Sequence, residues 1–358
     1  MLTSISLPVL LVVFAGATVL VWVAGTRLSN TTDVLSSRLG LGEALGGLLM
    51  LAIVTNLPEL AITASAALSH NIGVAVGNIL GGIAIQTVVL VVLDVFSVRG
   101  RPPLTYQAAS LSLVLEGALV IAMLAVAVMG SQLPDSLIVW RVEPEGLLIF
   151  ALWIAGIWLL SKARAGLPWH GDVVAPQAQE EPRGHSRVKK EQDATNKGMS
   201  TGKAVAVFAA AAGVTLVGGV LLEQSGEAIA GNIGMSGVLF GSTFLAAATA
   251  LPEVSTGLTS VRMGDYQLAV SDIFGGNAFL PVLFLMASLL SGVAVLPQAY
   301  GTDIYLTGLG ILLTTVYLYG LVFRPRRRVL GMGVDSLVVL ILYAGGVAGL
   351  VAVVLGGD

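Results

Sequence analysis

The chain has 358 residues, 56% of them hydrophobic and only 11% charged, with a net charge of −3 and a mean hydropathy of +0.91. A water-soluble protein with that balance has no means of covering its surface, so composition alone places the chain in a lipid bilayer. Zero cysteines exclude disulfides, thiolate metal sites and cysteine nucleophiles, and so small a net charge points to no nucleic-acid partner.

Apolar runs long enough to span a bilayer follow one another along the chain with short breaks. The first carries no basic head and no small-residue cleavage pattern, so it reads as a retained span. The runs cover residues 6–25, 41–68, 72–95, 106–129 and 145–161, then 203–222, 237–261, 267–293, 304–323 and 334–355. The expected fold class is an all-α integral membrane protein with ten transmembrane helices in two sets of five, residues 1–161 and 203–358. The 44 glycines suit helices that approach one another closely in lipid.

Residues 162–202, between the two sets, are polar, mixed in charge and poor in aliphatics. They cannot form a core and read as a flexible cytoplasmic linker. A cation-sensing role is disfavoured because no acidic cluster with ligand spacing occurs there.

The basic residues set the orientation. With the N-terminus outside, every one of the 18 Lys and Arg except Arg141 falls on the cytoplasmic side. An odd number of helices per set also makes the second set enter the membrane from the opposite face, which is an inverted repeat.

That repeat is visible residue by residue. Residues 49–82 and 243–276 align without gaps at an offset of 194, pairing Glu59 with Glu253, Thr55 with Thr249, Pro58 with Pro252, Asn78 with Asp272 and Gly81-Gly82 with Gly275-Gly276. Each proline lacks a backbone N–H and crowds the carbonyl four residues back, here Val54 and Ala248. A carbonyl freed in hydrocarbon needs a partner, and a bound cation can serve, with the Thr55 and Thr249 hydroxyls beside it. A single kink or a threonine bonded to its own helix would be unremarkable. Two carboxylates inside apolar runs at repeat-equivalent positions are not, because each costs several kcal/mol unless used. A hard cation such as Ca²⁺ takes about six to eight oxygens. Two glutamates supply four, and hydroxyls, carbonyls and water can complete the shell. The glycine blocks are read as interruptions of a second helix in each copy, where Asn78 and Asp272 either add oxygens or cap the break.

Other acids have weaker signals. Glu43 and Glu116 have no acidic counterpart at the offset, while Asp94, Glu223 and Glu227 sit near helix ends and are expected to hydrate.

The paired T-x-L-P-E motifs, the GN-x-x-GG block and the ten spans around a polar loop resemble the cation/Ca²⁺ exchanger superfamily, specifically the sodium/calcium exchanger membrane domain. The resemblance implies antiport by alternating access, with the essential glutamates at Glu59 and Glu253, motif threonines at Thr55 and Thr249, and ligand carbonyls at Ala52 and Ala246. Departures are equally specific. Asn56 and Ala250 replace motif serines, and Gly82 and Gly276 replace the serines that end the second block. Gln86 and Leu280 stand where the family carries Asn or Asp, and Ser271-Asp272 replaces the second GN.

The reading is a secondary antiporter, not an enzyme, with no cofactor, exchanging Ca²⁺ for Na⁺ or H⁺. Its metal-ligating candidates are Thr55, Glu59, Thr249, Glu253, Ala52, Ala246, Asn78, Asp272 and Gln86. Na⁺/H⁺ exchange on the same fold is the alternative; a passive channel is disfavoured because channels line a continuous polar pore with repeats about an axis along the membrane normal, and an intramembrane enzyme because no Ser–His pair, HExxH or phosphate-binding lysine loop occurs. The partners are inorganic cations and lipid, a monomer is compatible with the plan, and the expected location is a prokaryotic inner membrane.

Overall fold

A computed structural model of the chain describes residues 5–39, 53–96, 102–138, 140–165 and 200–356. They are mostly helical. The first half holds α1 (Leu7–Leu39), the short α2 (Leu57–Leu68), α3 (Ile72–Val95), α4 (Leu111–Gly130) and α5 (Pro144–Ala165). The second holds α6 (Thr201–Ile233), α7 (Gly237–Thr249), α8 (Leu251–Met263), α9 (Tyr266–Ser291), α10 (Gly301–Phe323) and α11 (Val334–Gly356). Among the described residues eight helices are long and apolar enough to cross a bilayer, and α7 with α8, bent by 43° at their junction, would make a ninth. The expected span over 41–68 is represented by α2, because residues 40–52 lie outside the described residues.

The offset found in the sequence recurs in the helices: α1 and α6 begin and end 194 positions apart, and so do the starts of α3 and α9. Both α1 and α6 run for 33 residues, well past the apolar runs that announced them. At 1.5 Å per residue that is about 50 Å, more than a hydrocarbon core of about 30 Å requires. Hydropathy marks where a helix leaves lipid, not where it ends. Along the continuation of α1 the hydroxyls of Thr26, Thr31 and Thr32 donate to carbonyls four residues back, which satisfies them within the helix. The expected span at 106–129 is divided instead. A five-residue helix, Leu104–Ala108, precedes α4, whose start is capped by the Ser110 hydroxyl accepting from the Leu113 amide at 3.3 Å.

The centre of the molecule is α3. Its span is 83% buried, against 22% for α1, 28% for α6 and 17% for α11, which leave apolar side chains such as Val12, Val217 and Ile341 facing outward. The long helices α1 and α6 pack against each other.

The glycine block on α3 does not interrupt the helix, contrary to the expectation from sequence; α3 is continuous from Ile72 to Val95. Its glycines admit a neighbour. A Cβ on Gly77 would stand 2.8 Å from the Val238 carbonyl oxygen, and one on Gly81 would overlap the Cα of Ser242. Both contacts come from α7, which widens into a π-helical turn over Gly241–Leu245 where it meets α3. With no break at the block, Asn78 has nothing to cap. In α9 the interruption falls later, as a 3₁₀ turn over Leu280–Val282 at Pro281.

Asp94 and Glu223 correct a second expectation, since both are 0% exposed and neither hydrates. Asp94 accepts from the amides of Leu104 (2.8 Å) and Gly333 (2.6 Å) and lies 3.7 Å from the Arg328 guanidinium. It thereby ties the end of α3 to an antiparallel hairpin between α10 and α11, β1 (Arg328–Val329) with β2 (Met332–Gly333). Arg324 and Arg326 of the same connection lie over the Tyr106 ring, 4.9 and 5.2 Å from its centroid.

Candidate cation site

Each T-x-L-P-E motif lies at a helix break. Asn56 (φ −93°, ψ 19°) and Ala250 (φ −80°, ψ −2°) turn the chain just before α2 and α8. Pro58 and Pro252 then occupy the first turn of the new helices, where the missing N–H costs no hydrogen bond. Glu59 and Glu253 follow in the same turn, at the helix end whose partial positive charge favours a carboxylate. Sequence reasoning treated the proline as a kink inside one helix. The structure makes it the start of a second helix aimed at the core, and this gives the acid its electrostatic support.

The two breaks are held by reciprocal contacts. A Cβ on Gly25 of α1 would meet the Pro252 ring at 2.7 Å, and one on Gly219 of α6 would stand 3.0 Å from the Pro58 carbonyl oxygen. Gly25 and Gly219 are themselves 194 apart, as are Pro58 and Pro252. Deeper in, a Cβ on Gly82 would stand 3.1 Å from Leu280 Cδ1, and one on Gly276 would stand 3.2 Å from Gln86 Oε1. These four residues also form two pairs at the same offset, so each contact is answered by its counterpart, as a twofold relation requires.

Glu59 is fully buried, and its Oε1 is 3.5 Å from the amide nitrogen of Gln86, which also donates to Asn56 Oδ1 at 3.4 Å. Thr249, from the other half of the chain, brings its hydroxyl to the Glu59 carboxylate. Glu253 is 4% exposed, and both Glu59 and Asp272 lie within its electrostatic range. Asp272 accepts from the Thr256 hydroxyl of α8 at 3.2 Å. Asn78 is fully buried and shares a face of α3 with Gly82 and Gln86 at a spacing of four residues.

Several buried oxygens here accept no hydrogen bond: Glu59 Oε2, Asn78 Oδ1, Gln86 Oε1 and both carboxylate oxygens of Glu253. Oxygen acceptors buried without donors are what a hard cation takes as ligands. Among the described residues no group of three or more His, Cys, Asp or Glu could hold a metal ion, so neutral oxygens must complete any shell around the glutamates.

The remaining candidates are less open. The Ala246 carbonyl already accepts from the Thr249 hydroxyl (3.2 Å) and the Ala250 amide (3.1 Å), so it would have to release one to ligate. Ala52 lies outside the described residues. The Thr55 hydroxyl receives the Asn56 side-chain amide at 3.4 Å.

Sequence reasoning missed Thr256, and it missed Asn277, whose amide donates to the Ile83 carbonyl (3.4 Å) and the Thr87 hydroxyl (3.2 Å). Their partners by offset, Ile62 and Ile83, are apolar, so the repeat gave no signal; a polar residue beside the Gly275-Gly276 pair was the clue for Asn277.

Residues 9–162 and 203–352 match the family described as sodium/calcium exchanger protein. The chain is 27% identical over 289 residues to inner membrane protein YrbG of Escherichia coli (strain K12), a match that spans 79% of this chain and 81% of the relative. Its fold is similar to that of the sodium-calcium exchanger NCX_Mj (TM-score 0.58, 15% identity, covering 96% of this chain and 99% of that one). It is similar also to the H⁺/Ca²⁺ exchanger CAX (TM-score 0.63, 12% identity, covering 97% and 88%).

Proposed function

The chain belongs to the sodium/calcium exchanger protein family, and from that premise we propose that it exchanges Ca²⁺ for Na⁺ or H⁺ around one site shared by Glu59 and Glu253. It is a multi-pass integral membrane protein and a cation antiporter by family. On our reading its ten spans form two inverted repeats of five, 1–161 and 203–358, joined by a cytoplasmic linker at 162–202. The N-terminus is outside, and the membrane is a bacterial inner membrane like that of its relative YrbG.

The observation that carries the reading is the set of buried oxygens without donors around two repeat-equivalent carboxylates. Carboxylates this close repel when both are charged, and lipid offers no water to screen them. Each passage across the membrane must therefore carry a cation or protons, and that requirement couples one ion to the other. Glu59 and Glu253 hold the charge, while Gln86, Asn78, Asp272 and the two motif threonines add neutral or auxiliary oxygens, with the Ala52 and Ala246 carbonyls beside them. Alternating access would expose the site to either side in turn.

A second reading keeps the fold and exchanges Na⁺ for H⁺. It is favoured by Leu280, which puts a methyl group where the other half has the Gln86 amide and so thins the ligands on one flank. Flux in proteoliposomes distinguishes the two. Ca²⁺ uptake that follows an imposed Na⁺ or pH gradient supports the first reading; Na⁺ flux coupled to pH with no Ca²⁺ movement supports the second.

A further inference from the structure

Away from the central site, a cleft of about 570 Å³ opens where the turn between α2 and α3 meets the last turns of α6 and the start of α7. Asn71, Glu227 and Asn232 line it, and no Lys or Arg is among its lining residues. Just beneath Glu227, one turn earlier on α6, Glu223 is fully buried. Its Oε2 accepts from the Ser65 hydroxyl of α2 at 2.8 Å, the Asn71 side chain faces the same carboxylate, and its Oε1 has no partner. Asn232 donates its amide nitrogen to the Ala228 carbonyl at 2.7 Å, so its side-chain oxygen is what remains for a ligand.

We infer that this cleft is a second cation site, in which Glu227, Asn71 and Asn232 hold a hydrated divalent cation at the mouth of the protein, while Glu223, buried beneath them and facing Asn71, adds its charge from below. The donors are all hard oxygens, with the Glu227 carboxylate in the cleft wall, Glu223 beneath it and no Lys or Arg in the lining, a set suited to Ca²⁺. The volume leaves room for a cation that keeps most of its water, at about 30 Å³ per water molecule. Ser65, which bonds Glu223, lies on the same short helix as Glu59, so an ion in the cleft is next to the element that carries half of the central site. The other copy keeps an acid, Asp33, at the position equivalent to Glu227, while Ser29 and Arg38 stand where this one has Glu223 and Asn232. Passage of the ion from this cleft to the central site rests on the exchanger reading above; the binding site itself does not.

Calcium titration of the purified full chain by calorimetry tests the site, in a Glu59→Gln/Glu253→Gln background that removes both central carboxylates. Residual weak Ca²⁺ binding is expected there, falling at least tenfold in affinity when Glu223→Gln or Glu227→Gln is added. Glu227 is exposed, so its variant carries no folding risk. No residual binding, or residual binding indifferent to both substitutions, would overturn the inference. Flux by the wild-type protein reports separately on the exchanger reading. If that flux is intact, Glu227→Gln should raise the KM for Ca²⁺ on one face several-fold at unchanged kcat.

Discussion

Asn277 donates its side-chain amide to the carbonyl of Ile83, the residue 194 positions before it, across 3.4 Å. A residue that touches its own repeat counterpart must lie on or near the axis relating the two copies. Gly82 against Leu280 and Gly276 against Gln86 flank that contact symmetrically. These reciprocal contacts lie between α3 and α9.

Close approach of α3 and α7 depends on the absence of a side chain at Gly81. Gly81→Ala would drive its methyl group into Ser242, and overpacking of this kind costs about 1–3 kcal/mol or more. Gly275 is the equivalent position in the second copy and has open space around it. Thermal unfolding in detergent should show a clear loss for Gly81→Ala and almost none for Gly275→Ala. Equal effects would remove the packing argument.

Gln86 is predicted to tune affinity. It holds Glu59 and Asn56 in place through its amide and keeps an oxygen without a partner. A hydrogen bond to a charged group contributes about 1.5–3 kcal/mol, so Gln86→Leu should raise the KM for the transported cation by roughly tenfold or more. An unchanged KM in a flux assay would place Gln86 outside the site.

The membrane class and the repeat were legible because each left a mark in composition or at a fixed offset, and the same offset singles out Glu59 and Glu253. The helix starts at Ile72 and Tyr266 were legible to within a residue, since polar turns precede them. What stayed hidden depends on contacts between distant segments. Nothing local says that Gly81 seats against Ser242, that Asp94 is enclosed by the hairpin at Gly333, or that Glu223 is covered by Ser65. The glycine block was misread for the same reason: small residues signal either a break or a close neighbour, and only the neighbour decides.

At the other end of α9, Glu143 accepts from the Ser288 hydroxyl and, at 3.4 Å, from the Leu296 amide, with Glu145 beside it. Burial, reinforced by the Glu145 charge, pushes its carboxyl up to about 7 from an ordinary 4.5. The folded protein then binds a proton between pH 4.5 and 7 that the unfolded chain has released. Stability from this group is present below 4.5 and lost as pH rises through 7. The melting temperature should therefore fall between pH 5 and 8, and Glu143→Gln should flatten that slope. A slope of the same size in the variant would assign it to another group.

Asp94 fastens the hairpin between α10 and α11 to the end of α3. Asp94→Ala leaves the buried Leu104 and Gly333 amides without their acceptor, at about 1–3 kcal/mol for each unsatisfied group, so it should unfold at markedly lower temperature in detergent. Arg327→Ala, on the same connection, serves as a control and should have little effect. A wild-type melting curve for Asp94→Ala would show that the hairpin is not fastened there.

The central claim is that Glu59 and Glu253 are two halves of one transport site. Ca²⁺ uptake into proteoliposomes, driven in turn by Na⁺ and pH gradients, should be measured for the wild type, Glu59→Gln and Glu253→Gln at matched amounts of folded protein. The account predicts gradient-driven uptake by the wild type and background uptake by each single variant. Uptake at the wild-type rate in either variant would contradict it.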